Sequence, residues 1–116
     1  MSKYMVLLYA AESAMPKPGT PEFDAQNAAY GVVFEDFSKR GAFLNGDPLT
    51  PSSAATSVRI RNGQRQDTAG SAASTPEQLI GYYVLECKDP KEAADLAATI
   101  PAAKNGTVEV RPVFAM

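Results

Sequence analysis

The sequence predicts a single α+β domain, and three observations predict it. Two segments, Lys3–Tyr9 and Leu79–Cys87, alternate as strands do and are apolar on both faces. Two others, beginning at Thr20-Pro21 and Asp89-Pro90, open with a capping side chain followed by proline in the first helical turn. The 116 residues, 45% of them hydrophobic, suffice for one ordinary core and are too few for two, so residues 1–116 are expected to form one domain.

Lys3–Tyr9 places Tyr4, Val6 and Leu8 on one face and Met5, Leu7 and Tyr9 on the other. A chain this small covers one such face with its own helices and leaves the second to a partner. Ala10–Gly19, broken by Pro16, Pro18 and Gly19, reads as a surface loop. The helix opened by Thr20 runs to about Arg40, where Gly41 ends it; Phe23, Tyr30, Val33, Phe34 and Phe37 recur at helical spacing and are expected in the core. Ala42–Asn45 is a short strand, and Pro48 and Pro51 break up the segment after it.

Thr56–Ile60 and Gln64–Asp67 flank Asn62-Gly63, a pair that tolerates the positive φ of a type I′ hairpin turn. Arg59 and Arg61, with Arg65 nearby, read as a solvated edge. In Leu79–Cys87, Gly81, Tyr83, Leu85 and Cys87 alternate with Ile80, Tyr82, Val84 and Glu86. Asp89, Pro90 and Glu92 make capping-box geometry available for a helix ending near Ile100, before Pro101. Thr107–Val113 closes the chain as a strand with Val108 and Val110 on one face and Glu109 and Arg111 on the other. The order strand, helix, strand, hairpin, strand, helix, strand is ferredoxin-like with an inserted β-hairpin.

Composition excludes several functions. Eleven Lys and Arg against thirteen Asp and Glu give a formal net charge of −2, so nothing draws the chain to nucleic acid. Cys87, the one cysteine, forms no intramolecular disulfide and reads as a buried thiol. The apolar run in MSKYMVLLYA is too short to cross a bilayer, and a cytoplasmic protein without a membrane partner is expected. Histidine is absent, which removes imidazole-based zinc or iron sites and imidazole-dependent serine or cysteine nucleophiles. No metal and no cofactor are expected; proton transfer is left to carboxylate, tyrosine or lysine.

Four segments, KYMVLLYA, LTPSSAATSVRIRNG, EQLIGYYVLE and IPAAKNGTVEVRPV, together resemble the YCII-related proteins, a bacterial family also known for a DGPF motif. The resemblance implies a ferredoxin-like domain that pairs through its sheets into a dimeric α+β barrel. The two strands with two apolar faces call for the same cover, so a homodimer is expected on both grounds. Where members keep Asp-Gly-Pro-Phe ahead of Gly-Tyr-Tyr, this chain reads Ala69-Gly70-Ser71-Ala72 and retains only the glycine. A His-Asp pair, which the resemblance implies for some members, has no histidine here. What carries over is Gly70 and its neighbours Glu77, Gly81, Tyr82 and Tyr83.

Asp67, two positions before the missing aspartate, and Glu77 are the candidate carboxylates, and Tyr82 the candidate acid. Tyr9, Gly70, Ser71, Tyr83 and Arg111 are candidate ligand contacts, with Gly70 and Ser71 in a small-residue loop whose amides suit an anion. For each tyrosine the alternative is a packed interface aromatic, for Asp67 a solvated hairpin end, and for Arg111 a pair with Glu109. Two functions stay open. In one, a homodimer binds a small molecule or regulatory partner in an inter-subunit cleft and has lost catalysis; in the other, a hydrolase, lyase or isomerase uses a carboxylate and a tyrosine.

Overall fold

A computed structural model describes residues 1–115. Its elements are β1 (Ser2–Ala11), α1 (Pro21–Lys39), β2 (Phe43–Pro48), β3 (Thr56–Arg61), β4 (Gln64–Ala69), β5 (Glu77–Cys87), α2 (Pro90–Ala97), α3 (Ala102–Asn105) and β6 (Thr107–Pro112), with 3-10 turns at Glu12–Ala14 and Ser52–Ala54. A four-stranded sheet has the order β2-β5-β1-β6, every neighbour antiparallel. The fold is thus mixed α+β with antiparallel sheets, compatible with ferredoxin-like topology. β3 and β4 pair only with each other, around Asn62 and Gly63 at φ 53° and 73°.

Strand parity sorts the residues of β1 and β5. Tyr4, Val6, Leu8 and Ala10 are buried on the same side as Tyr83, Leu85 and Cys87, and Val33, Phe37, Ala42, Ala93, Leu96, Ala97, Ile100 and Ala102 close over them. Met5, Leu7 and Tyr9 point the other way and stay half-buried. One irregularity interrupts the β1–β5 pair, as another does β2–β5 between Phe43 and Asn45: a β-bulge between Leu8 and Tyr9 pairs Leu8 with Gly81 but Tyr9 with Leu79. Ile80 is the extra residue, and it packs against the helix-side core while Leu79 joins Tyr9 on the open face.

Both long helices start on the expected caps. Thr20 Oγ1 accepts from Phe23 N (3.2 Å) and Asp89 Oδ1 from Glu92 N (2.8 Å). Glu92 does not close a capping box on Asp89; its carboxylate accepts from Lys88 N instead. α2 stops at Ala97, short of Ile100, because the next turn tightens to three-residue bonds, Thr99 N to Leu96 O and Ile100 N to Ala97 O. Pro101, lacking an N–H, then heads the short α3.

The aromatic stripe of α1 is not uniformly core. Val33 and Phe37 are the buried residues of this helix, Phe23 and Tyr30 are half-buried, and Phe34 is 50% exposed. The helix is pinned through its C-terminal half, where Phe37 and Phe43 each meet Tyr83 edge-on at 5.5 and 6.3 Å, and Phe34 meets Phe43 at 4.9 Å. Gly46 on β2 makes room for that cluster: a Cβ there would lie 2.7 Å from the Tyr83 ring and 3.3 Å from Phe43. The buried ring has nowhere to retreat. Gly46→Ala should therefore cost about 1–3 kcal/mol in urea denaturation and perturb the near-ultraviolet dichroism; unchanged stability would mean the cluster is loose.

Candidate functional site

The sheet face away from the helices is built by register. Leu7 lies opposite Tyr82 on one side and Glu109 on the other, while Met5 lies between Val84 and Arg111. On the edge strand, Asp47 faces Tyr82 and Asn45 faces Val84. An apolar strip of Met5, Leu7, Tyr9, Tyr82 and Val84, all half-buried, thus runs between two polar borders. On the β6 border Arg111 pairs with Glu109, an exposed contact of small energetic value.

The β2 border carries a different arrangement. Tyr82 Oη donates to Asp47 Oδ2 at 2.7 Å, and Asn45 Nδ2 reaches Tyr82 Oη at 3.4 Å. The bond to Asp47, aided by desolvation and by the carboxylate's charge, holds the Tyr82 phenol above its ordinary pKa, with Asn45 opposing. Tyr82 is consequently a protonated donor beside a carboxylate, the arrangement that either orients a polar ligand group or delivers a proton to one.

On the other side of the sheet the N-terminal half of α1 stands away from β2 and leaves a cleft of about 640 Å³, within the range of small-molecule sites. Its walls include Phe23, Tyr30 and Phe34 of α1, Phe43 of β2, Pro48, Leu49 and Pro51 of the following loop, and Ile80 and Tyr83 of β5. Asp47 and Tyr82 are also lining residues, so their pair stands at the sheet edge between cleft and open face. A strap closes one end: Glu12 accepts from Ser52 N (2.7 Å) and Ser52 Oγ (2.6 Å). Those bonds lower the Glu12 pKa, the hydroxyl contributing most, so the carboxylate stays ionised. Burial pushes Tyr83 up to about 12, with Tyr30 adding to the shift, and burial raises Tyr30 too against a backbone hydrogen bond from Ala102. Both phenols remain neutral.

The other residues singled out from the sequence do not converge. Tyr9 lies on the open face and Tyr83 on the helix face. Arg111 is taken up by Glu109. Asp67 sits on the β3–β4 hairpin, held by Arg65 at 2.8 Å, and Glu77 accepts from Thr107 Oγ1 at 2.9 Å. Neither carboxylate has a hydrogen bond to a tyrosine among the described residues. Gly70 does not offer its amide to an anion: at φ 102° it ends β4, donates to Ala55 O at 2.7 Å, and accepts from Ser57 Oγ at 2.8 Å. Ser71 Oγ accepts from Ala73 N at 3.2 Å. Asp47 is the residue that sequence reasoning missed. The available signal was parity, since Asn45 and Asp47 alternate with Gly46, but ending the strand at Asn45 hid it. No group of three potential metal-ligating side chains occurs among the described residues.

Comparison with known proteins adds family and little chemistry. The family model described as YCII-related domain matches residues 2–116. An uncharacterized protein of Rhizobium meliloti (strain 1021) is 30% identical over 112 residues, covering 95% of this chain and 90% of the relative.

The Tyr82–Asp47 bond makes a direct prediction. In a carbon-labelled tyrosine NMR titration, Tyr82 should titrate above the ordinary 10.0, and Asp47→Asn should bring it back toward that value. An Asp47→Asn titration identical to the wild type would show that the carboxylate does not hold the phenol.

Proposed function

The chain belongs to the YCII-related family, and on that premise we propose that it acts as a cytoplasmic homodimer that binds a small molecule beside the Tyr82–Asp47 pair. Two sheets meeting through their open faces make a dimeric α+β barrel, with β3–β4 as a hairpin inserted into the ferredoxin-like order. The observation that carries the reading is the strip of Met5, Leu7, Tyr9, Tyr82 and Val84, half-buried on a sheet whose opposite face is already covered. A second copy of the same strip removes it from water, and a C2 pair makes that contact self-complementary. The cleft between α1 and β2 then supplies volume for a ligand, with Asp47 and Tyr82 among the residues at its edge.

Catalysis is not required by this reading. Asp67 and Glu77 are engaged elsewhere, and the segment Ala69–Ala72 contributes no titratable side chain. The specific observation favouring an enzyme is the 2.7 Å bond between Tyr82 and Asp47, a carboxylate and acid in contact. Given a substrate, Tyr82→Phe would lower turnover by about 10²–10⁴-fold if the phenol transfers a proton. An unaltered rate would leave binding alone.

Light scattering at low micromolar concentration should give a dimer, with an interface near the ~1,600 Å² of stable pairs. Leu7→Glu sets a new carboxylate beside Glu109 in the middle of the strip, so it should yield a folded monomer. A monomeric wild type would overturn the dimer. A thermal-shift screen of metabolites tests the binding, since a ligand at 100 times its Kd stabilises by about 2.7 kcal/mol.

A further inference from the structure

Six lining residues of the cleft, Phe23, Gln26, Asn27, Tyr30, Gly31 and Phe34, form one stripe along α1. Gly31 stands in the middle of that stripe, where glycine is the poorest helix former after proline. Nothing in the chain's own packing calls for it: a Cβ built on Gly31 meets no atom within 4 Å. The bare position widens the cleft beside the aromatic walls. Next to it, the Gln26 and Asn27 amides make no side-chain hydrogen bond among the described residues, so each has a donor and an acceptor to present.

The charge of the lining is one-sided. Glu12 and Asp47 are the carboxylates among the lining residues, that of Asp47 turned to Tyr82 at the sheet edge, and no Lys or Arg lines it. Both oxygens of Glu12 are spent on Ser52, yet the group keeps its negative charge at the end of the cleft. An anionic ligand would meet like charge without a compensating cation.

We infer that this cleft takes a flat, largely apolar molecule that is uncharged or cationic, its ring system between the aromatic walls and over Gly31 and its polar edge on the amides of Gln26 and Asn27. The inference rests on the small-molecule reading above and narrows its ligand class. Anionic metabolites, including phosphorylated ones, are disfavoured at the site by its charge.

The test uses three pyrene probes of the same ring system, carrying a methylammonium, a hydroxymethyl or a carboxylate group, titrated into the full chain by fluorescence anisotropy. The ammonium and alcohol probes should bind, the carboxylate at least about fivefold more weakly than the ammonium. Glu12→Gln, which keeps an acceptor for Ser52, should narrow that gap. Gly31→Leu should weaken the ammonium and alcohol probes by about tenfold or more while leaving the melting temperature equal or higher, and Gly31→Ala should weaken them less. Three probes binding equally, all lost in Gly31→Leu, would overturn the ligand class and leave the cleft as a small-molecule site. No binding, or binding indifferent to Gly31→Leu, would overturn the cleft itself. On the β3–β4 hairpin Val58 and Ile60 are 55% and 59% exposed; binding that emerges only in the Val58→Asp, Ile60→Asp variant would also overturn the proposal, by assigning the cleft to that hairpin face of a second copy.

Discussion

The contact on which the rest of the structure depends is the aromatic cluster around Tyr83. Its ring takes Phe37 and Phe43 edge-on, and Phe34 extends the set through Phe43. These rings join the consecutive elements α1 and β2 to the distant strand β5, and the fully buried Phe37 alone stands for about 3–5 kcal/mol. Gly46 is the concession the backbone makes to them. The ring cluster grips the C-terminal half of α1, while Phe23, Gln26 and Asn27 nearer its start line the cleft.

Fastening one face settles the other. With Tyr83 turned to the helices, Tyr82 must point to the open side, and register sets Leu7 against one flank and Asp47 against the other. Adjacent residues of β5 thus serve opposite sides of one sheet, Tyr83 as a neutral wall and Tyr82 as a hydrogen-bond donor. The bulge at Leu8 and Tyr9 adjusts the count near one end of the pair, sending Ile80 to the core and Leu79 to the open face. Without it, β5 would keep strict alternation and Ile80 would lie beside Tyr82.

Much of this was legible in the residues, and the failures have physical causes. The mixed α+β pattern, the caps at Thr20 and Asp89 and the two-sided strands arise from local chemistry and period. The bulge does not, since an extra residue is a property of pairing between strands. Helical spacing marked Phe23, Tyr30, Phe34 and Phe37 as one stripe, but spacing gives direction and not depth, so it read as core what is partly cleft wall. Asp47 escaped because Pro48 suggests a break, whereas proline is tolerated on an edge strand such as β2. The Glu12–Ser52 strap joins positions forty residues apart, and no local pattern announces it.

The segment Ala69–Ala72 takes its structural meaning from its surroundings. Gly70 has a backbone reason for its place: its positive φ and its bonds to Ala55 and Ser57 tie off the hairpin. A residue kept for backbone geometry says nothing about a reaction. Asp67, the nearest carboxylate, is spent on Arg65, and Glu77 on Thr107. At the edge of β2, Asp47 holds Tyr82 protonated beside a cleft of small-molecule size. The polar pair that the fold leaves beside a cavity thus lies at that edge and not in Ala69–Ala72, a segment that contributes no titratable side chain.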